Sequence, residues 1–167
     1  MATDVKEFVI ARTFDAPREL VWKVYSQAEH LAQWWGPKGC KLIVGDFDFR
    51  PGGIFHYGME WQPGKTMWGR FVYREMLPPE RLVFVTSFSD ENKGITRAPF
   101  NEHWPLEVLN VMTFEDFGGK TKITIRGAPV GPTEEERNAW EGHFDSMNQG
   151  FGGTFDVLDA YLAKIQA

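Results

Sequence analysis

Seven large apolar side chains near the end of the chain, Trp140, Phe144, Met147, Phe151, Phe155, Leu158 and Leu162, recur every three or four residues. That period places them on one stripe of an α-helix of about six turns. Such a stripe is stable only when covered, and each side chain fully buried contributes about 1.5–3 kcal/mol. The start of the helix is written just upstream. Thr133 and Glu136 have the spacing of a capping box, and Glu134 and Glu135 suit the positive end of the helix dipole. Gly150, Gly152 and Gly153 interrupt the stripe, each disfavoured by about 0.5–1 kcal/mol against alanine. They predict either a bend or close approach at mid-helix, or a tolerated weak spot.

The middle of the chain supplies the covering surface, strand after strand with explicit turn chemistry between. Lys41–Phe49 ends at Pro51-Gly52-Gly53, Ile54–Trp61 at Pro63-Gly64, and Met67–Met76 at Pro78-Pro79. Arg81–Phe88 runs into a longer segment, and Leu106–Glu115 and Lys120–Gly127 join around Gly118-Gly119, a hairpin signal. Short links make antiparallel neighbours, hence a meander. Ahead of it, Val5–Phe14 predicts a first strand followed by two short helices. Asp15 is the candidate N-cap of the first, with Pro17 in its first turn. Ser26 and Glu29 have capping-box spacing for the second, which carries Leu31, Trp34 and Trp35 and ends at Gly36-Pro37. The expectation is one α+β domain over residues 1–167, its curved antiparallel sheet wrapped around a long C-terminal helix.

These pieces, in this order, resemble the helix-grip fold of the START and birch-pollen-allergen-like (SRPBCC) superfamily. Within it the chain is similar to the family named after the activator of the heat shock protein 90 ATPase. The resemblance rests on Phe14-Asp15-Ala16-Pro17-Arg18-Glu19-Leu20-Val21-Trp22, on Trp34-Trp35-Gly36-Pro37 and on Asp48-Phe49-Arg50-Pro51-Gly52-Gly53. Tyr73-Arg74-Glu75 and Pro78-Pro79-Glu80-Arg81-Leu82-Val83-Phe84 extend it over nearly the whole chain. It implies a ligand-binding or polyketide-cyclase-like domain, with no invariant catalytic motif to carry over. In the eukaryotic co-chaperone a separate N-terminal domain docks the chaperone; none is expected ahead of the first strand here, so a chaperone partner ranks last. Ser89–Pro105 is longer than a hairpin turn needs and reads as a lid or as a packed loop.

Composition narrows the partners. A net charge of −5 with scattered basic residues argues against nucleic acid, which needs clustered Lys and Arg. The lone Cys40 fits a reducing, cytoplasmic setting, and no signal peptide or membrane-spanning run is expected. No metal-ligand spacing, nucleophile motif or phosphate loop is present, so neither a metal nor a cofactor is expected.

Seven Trp and fourteen Phe either fill a core or line a cavity, since flat, stiff rings can do both. In the second meander strand, alternation puts Phe55, Tyr57, Met59 and Trp61 on the inner face and His56 and Glu60 toward solvent, unless a bulge beside Gly52-Gly53 slips the register by one. With Trp68 and, on the helix, Phe144, Met147 and Phe151, this inner face is the candidate ligand-binding wall. Trp35, His103, Trp104 and His143 complete the candidate set, His143 at the cavity rim. Arg74 and Glu75 fall on opposite faces of one strand, so alternation turns one of them inward. Two functions follow: a module binding a small hydrophobic or aromatic molecule, or a cyclase- or hydratase-type enzyme in which His103, His143, Tyr57 or Glu60 moves a proton in the same cavity. The first is preferred, and an apolar lining with one polar anchor would favour it.

Overall fold

The computed structural model describes residues 6–35 and 39–167, the side chain of Val44 excepted. Strand β1 (Phe8–Phe14) leads into helices α1 (Arg18–Ser26) and α2 (Ala28–Trp34). The meander follows as β2 (Lys41–Phe47), β3 (Ile54–Gln62), β4 (Lys65–Leu77), β5 (Arg81–Ser89), the short β6 (Ile95–Thr96), β7 (Val108–Phe117) and β8 (Lys120–Pro129). Helices α3 (Glu134–Gly142) and α4 (Phe144–Gln166) close the chain. All strands join one curled antiparallel sheet in the order β1-β8-β7-β5-β4-β3-β2, with β6 paired to β5. The first strand therefore sits at one edge and the second at the other, and α1 and α2 carry the chain between them. The hairpin at Gly118-Gly119 has both residues at positive φ, 59° and 90°, the requirement of a two-residue turn that follows the strand twist.

Of the two capping boxes the spacing predicts, one forms. The Thr133–Glu136 capping box forms in full, each side chain accepting the other residue's backbone N–H at 3.0–3.1 Å. The Ser26–Glu29 box does not form. Helix α1 runs on to Ser26, whose hydroxyl donates back to the carbonyl of Lys23, and Gln27 becomes the N-cap of α2. Asp15 is likewise not the cap of α1: Pro17 occupies that position, its carbonyl receiving the N–H groups of Leu20 and Val21. The expected stop at Gly36-Pro37 and the start of β1 at Val5 lie outside the described residues.

The C-terminal helix is two helices. Its break falls at His143 (φ −111°, ψ 13°) and not at the glycines, and α4 then runs unbroken for 23 residues. At Gly150, Gly152 and Gly153 an added Cβ would meet nothing within 4 Å, so no close approach requires them. Arg74 and Glu75 both face solvent, because a register shift between Tyr73 and Glu75 leaves Arg74 as the extra residue of a bulge. Glu75 then pairs with Arg81 at 3.1 Å.

The core sits between the concave face of the sheet and the second half of α4. Phe155, Leu158 and Leu162 are at most 2% exposed there, packed with Phe14, Ile123 and Ile125. Arg12 lies over the Phe155 ring and binds Asp156 at 2.7 Å, tying α4 to the edge strand. Helix α2 meets α4 through a 2.6 Å hydrogen bond between His30 Nδ1 and the Tyr161 hydroxyl.

A candidate apolar binding cavity

Along the first half of α4 the sheet and helix do not close on each other. A cavity of about 280 Å³ remains, walled by inward residues of β3, β4, β5 and β7, by Trp35 after α2, and by Met147, Phe151 and Phe155 of α4. Register explains the wall. Phe55 pairs with Phe71, Tyr57 with Gly69, and Met59 with Met67, so the concave face carries these side chains together. Neighbours already brace the large rings. Phe71 stacks on Phe84 with centroids 4.6 Å apart, and Trp35 stands edge-on to Tyr57 and Phe71 at 5.7 and 5.4 Å. Rings held by one another stand off from the helix instead of collapsing onto it.

A second cluster, Phe8, Ala98, Trp104, Val108 and Trp140, closes one end. It shows what the 89–105 segment does: β6 pairs with β5, and Trp104 is only 8% exposed. Arg97 donates to the Trp104 carbonyl at 3.0 Å and to Glu136 at 2.5 Å. The segment is a packed wall, leaving Phe100 exposed over Phe88 and Trp104. Burial of Glu136 opposes its charge, but the Arg97 guanidinium and the Thr133 N–H outweigh that and hold its carboxyl below the ordinary value.

The only ionisable side chains in the lining, among the described residues, are the tyrosines Tyr25, Tyr57 and Tyr73. Burial pushes all three phenols up, so they stay protonated donors at neutral pH. Asn110 is the one buried amide in the lining, and its Nδ2 donates to Thr86 Oγ1 and to the Val108 carbonyl.

Of the residues singled out from sequence, Trp35, Tyr57, Met59, Trp104, Met147 and Phe151 line the cavity. Trp68 borders it, but its ring lies on the convex face, stacked on His56 at 5.0 Å and 5°. Trp61 is 48% exposed at the end of β3 and lies outside the lining. Phe144 packs on Phe8 and Trp140 in the end cluster and also stands outside it. His103 is exposed on the 89–105 segment. His143 is spent on structure: its Nδ1 pairs with the Ala139 carbonyl at 2.7 Å at the end of α3. Glu60 is outside the lining too. His56, expected in solvent, is 3% exposed on the convex face, where Nε2 donates to the Asp90 carbonyl at 2.8 Å. Space for it comes from Gly45, where a Cβ would come within 2.6 Å of the His56 ring. Sequence reading missed Met67, Phe71, Phe84, Phe88 and Asn110. Period-two alternation along β4, β5 and β7 held that signal, and Trp68 is out of phase with Met67 and Phe71.

No helix among the described residues is long and apolar enough to cross a membrane, and no group of three or more His, Cys, Asp or Glu among them could hold a metal ion. No curated protein matches the chain. Among solved structures it is similar to protein Ms6760 from Mycobacterium smegmatis, with 25% identity over 94% of this chain and 90% of that one and a TM-score of 0.77. A protein from Arthrobacter aurescens is similar at 24% identity, covering 96% and 88%, with a TM-score of 0.78. The AHSA1 protein from Silicibacter pomeroyi is 21% identical over 95% and 98%, with a TM-score of 0.66. The sequence profile of the family described as activator of Hsp90 ATPase homolog 1-like protein matches residues 15–163. The chain belongs to that family, as the residues of its first helix and of the turn ahead of β5 imply.

Proposed function

We propose that this protein binds a small hydrophobic or aromatic molecule in the cavity between α4 and the concave face of the sheet. The observation that carries the reading is the lining: a volume of about 280 Å³ whose walls hold aromatic and aliphatic side chains and no acid, base or thiol other than tyrosine among the described residues. An engineered apolar cavity of about 150 Å³ accepts benzene, so this one suits about two fused rings. An enzyme would need two titratable groups converging on one point of the cavity. His103, His143 and Glu60 stand outside the lining, and Tyr57 alone remains of that set. The free Cys40 fits a cytoplasmic setting.

Native mass spectrometry of freshly purified protein, followed by a thermal-shift screen of two-ring aromatics, fatty acids and flavonoids, tests this. A ligand at a hundred times its dissociation constant adds about 2.7 kcal/mol of stability. Phe151→Trp fills the cavity and should abolish the shift, whereas Trp61→Ala, outside the lining, should leave it intact. Ligand-free protein that no compound in the screen stabilises overturns the reading.

A further inference from the structure

The concave wall carries an acceptor that the protein itself leaves open. Asn110 of β7 pairs with Phe84 of β5 on one side and Gly127 of β8 on the other, and it lines the cavity at 7% exposure. Its Nδ2 donates to the Val108 carbonyl and to Thr86 Oγ1, each at 3.1 Å. A carbonyl can only accept, so that contact fixes which end of the amide is nitrogen. Both Nδ2 hydrogens are then used, and Oδ1 lies by Gly127, where a Cβ would come within 2.9 Å of it. Among the described residues Oδ1 accepts no hydrogen bond. Yet it is not one of the fully covered, unpartnered atoms, which are Arg18 Nε, Arg70 Nε and Trp35 Nε1. Oδ1 is therefore open to the cavity. Thr86, also in the lining, is its complement: Oγ1 accepts from Asn110, and the hydroxyl proton has no acceptor among the described residues.

We propose that Asn110 Oδ1 and the Thr86 hydroxyl read one hydroxyl group on the ligand, which donates to the first and accepts from the second. The ligand class is then an uncharged hydrophobe of about two rings bearing a phenol- or alcohol-type hydroxyl. A ketone or ether would leave Oδ1 unanswered, and a buried acceptor without a partner is disfavoured. A carboxylate would set its charge against that oxygen, with no Lys, Arg or His side chain in the lining among the described residues. Gly127 stands outside the lining and is a positioning residue: its missing side chain leaves room for the amide oxygen. The proposal rests on the cavity being a binding site, and its test separates the two claims.

Three probes on one ring system are titrated calorimetrically: 2-naphthol, 2-methoxynaphthalene, which keeps the oxygen but not the donor, and 2-methylnaphthalene, which has neither. 2-Naphthol should bind roughly threefold to tenfold tighter than either of the others. A purely apolar cavity reverses that order, because the hydroxyl gives up water and gains no partner. Thr86→Val and Gly127→Ala should each bring 2-naphthol down to parity with 2-methylnaphthalene or below it. Thr154→Val, which removes a lining hydroxyl of α4, should leave the preference in place. Binding of 2-methylnaphthalene or 2-methoxynaphthalene as tight as that of 2-naphthol overturns the hydroxyl class and leaves the cavity standing as an apolar site. A preference for 2-naphthol that survives Thr86→Val, or that Thr154→Val removes instead, overturns the Asn110–Thr86 anchor. One that survives Gly127→Ala alone overturns the role of the glycine. Failure of all three probes overturns both claims.

Discussion

The two halves of α4 share one apolar stripe and one period, yet they meet opposite surroundings. In the second half Leu158 and Leu162 are at most 1% exposed, below Phe155, which borders the cavity and meets the Phe14 ring edge-on at 5.4 Å. In the first half Phe144, Met147 and Phe151 are only half-buried, and Gly150, Gly152 and Gly153 project into open space. The difference comes from across the gap. Opposite the second half lie β1 and β8, whose Phe14 and Ile123 pack in one core with it. Opposite the first half, Phe8 of β1 meets Phe144 and Phe151 at the closed end, and beyond it stand aromatic rings already stacked on one another. Periodicity states which face of a helix is covered; only the facing surface decides whether the cover is solid.

If that contrast is right, truncating each half should give unequal losses. Leu158→Ala opens a hole in a closed core and should lower stability by about 2–5 kcal/mol. Phe151→Ala widens space that already exists and should cost less than half as much as Leu158→Ala, while reducing ligand affinity, as paired chemical denaturation and ligand titration would show. Equal losses at the two positions would break the comparison.

A smaller effect is expected where the open half is tethered. Glu136 completes the capping box of α3, which Gln can also do, and binds Arg97 of the wall segment, so Glu136→Gln should cost about 1 kcal/mol at neutral pH through the lost ion pair. The folded carboxyl lies below its ordinary value of 4.5, so its contribution is present above that pH and is lost as pH falls through the folded value. The gap between wild type and variant should therefore narrow in acid, measured as denaturation midpoints from pH 7 down to pH 3. A gap that widened there would contradict the ion pair.

The smallest effect has the opposite sign. Gly150→Ala and Gly153→Ala place a Cβ in empty space within regular helix, so each should stabilise by about 0.4–1 kcal/mol. Loss of stability at either site would mean that something packs there.

Much of the architecture was legible because its signals are local. Hairpin glycines, the Thr133–Glu136 box and the helical stripe each depend on residues within a few positions of one another. Bulges were not legible. The shifts at Gly45 and Arg74 change which side chains share a face, and nothing in the alternation itself marks them. The break at His143 was hidden too, because Trp140, Phe144 and Met147 keep their spacing across it. For the site, alternation on β3 correctly turned Tyr57 and Met59 inward but carried Trp61 along, although the strand leaves the cavity before reaching it. The place of Trp35 in the wall depends on how the end of α2 meets β3 and β4, a long-range juxtaposition that no local pattern encodes.

A crystal structure determined under xenon pressure tests the central claim most directly, because xenon enters dry apolar cavities without needing a hydrogen bond. The account predicts xenon sites between the Phe71–Phe84 pair and Phe151, and none beneath Leu158. Side chains of β3, β4 and α4 closed on one another, with no xenon between them, would contradict it.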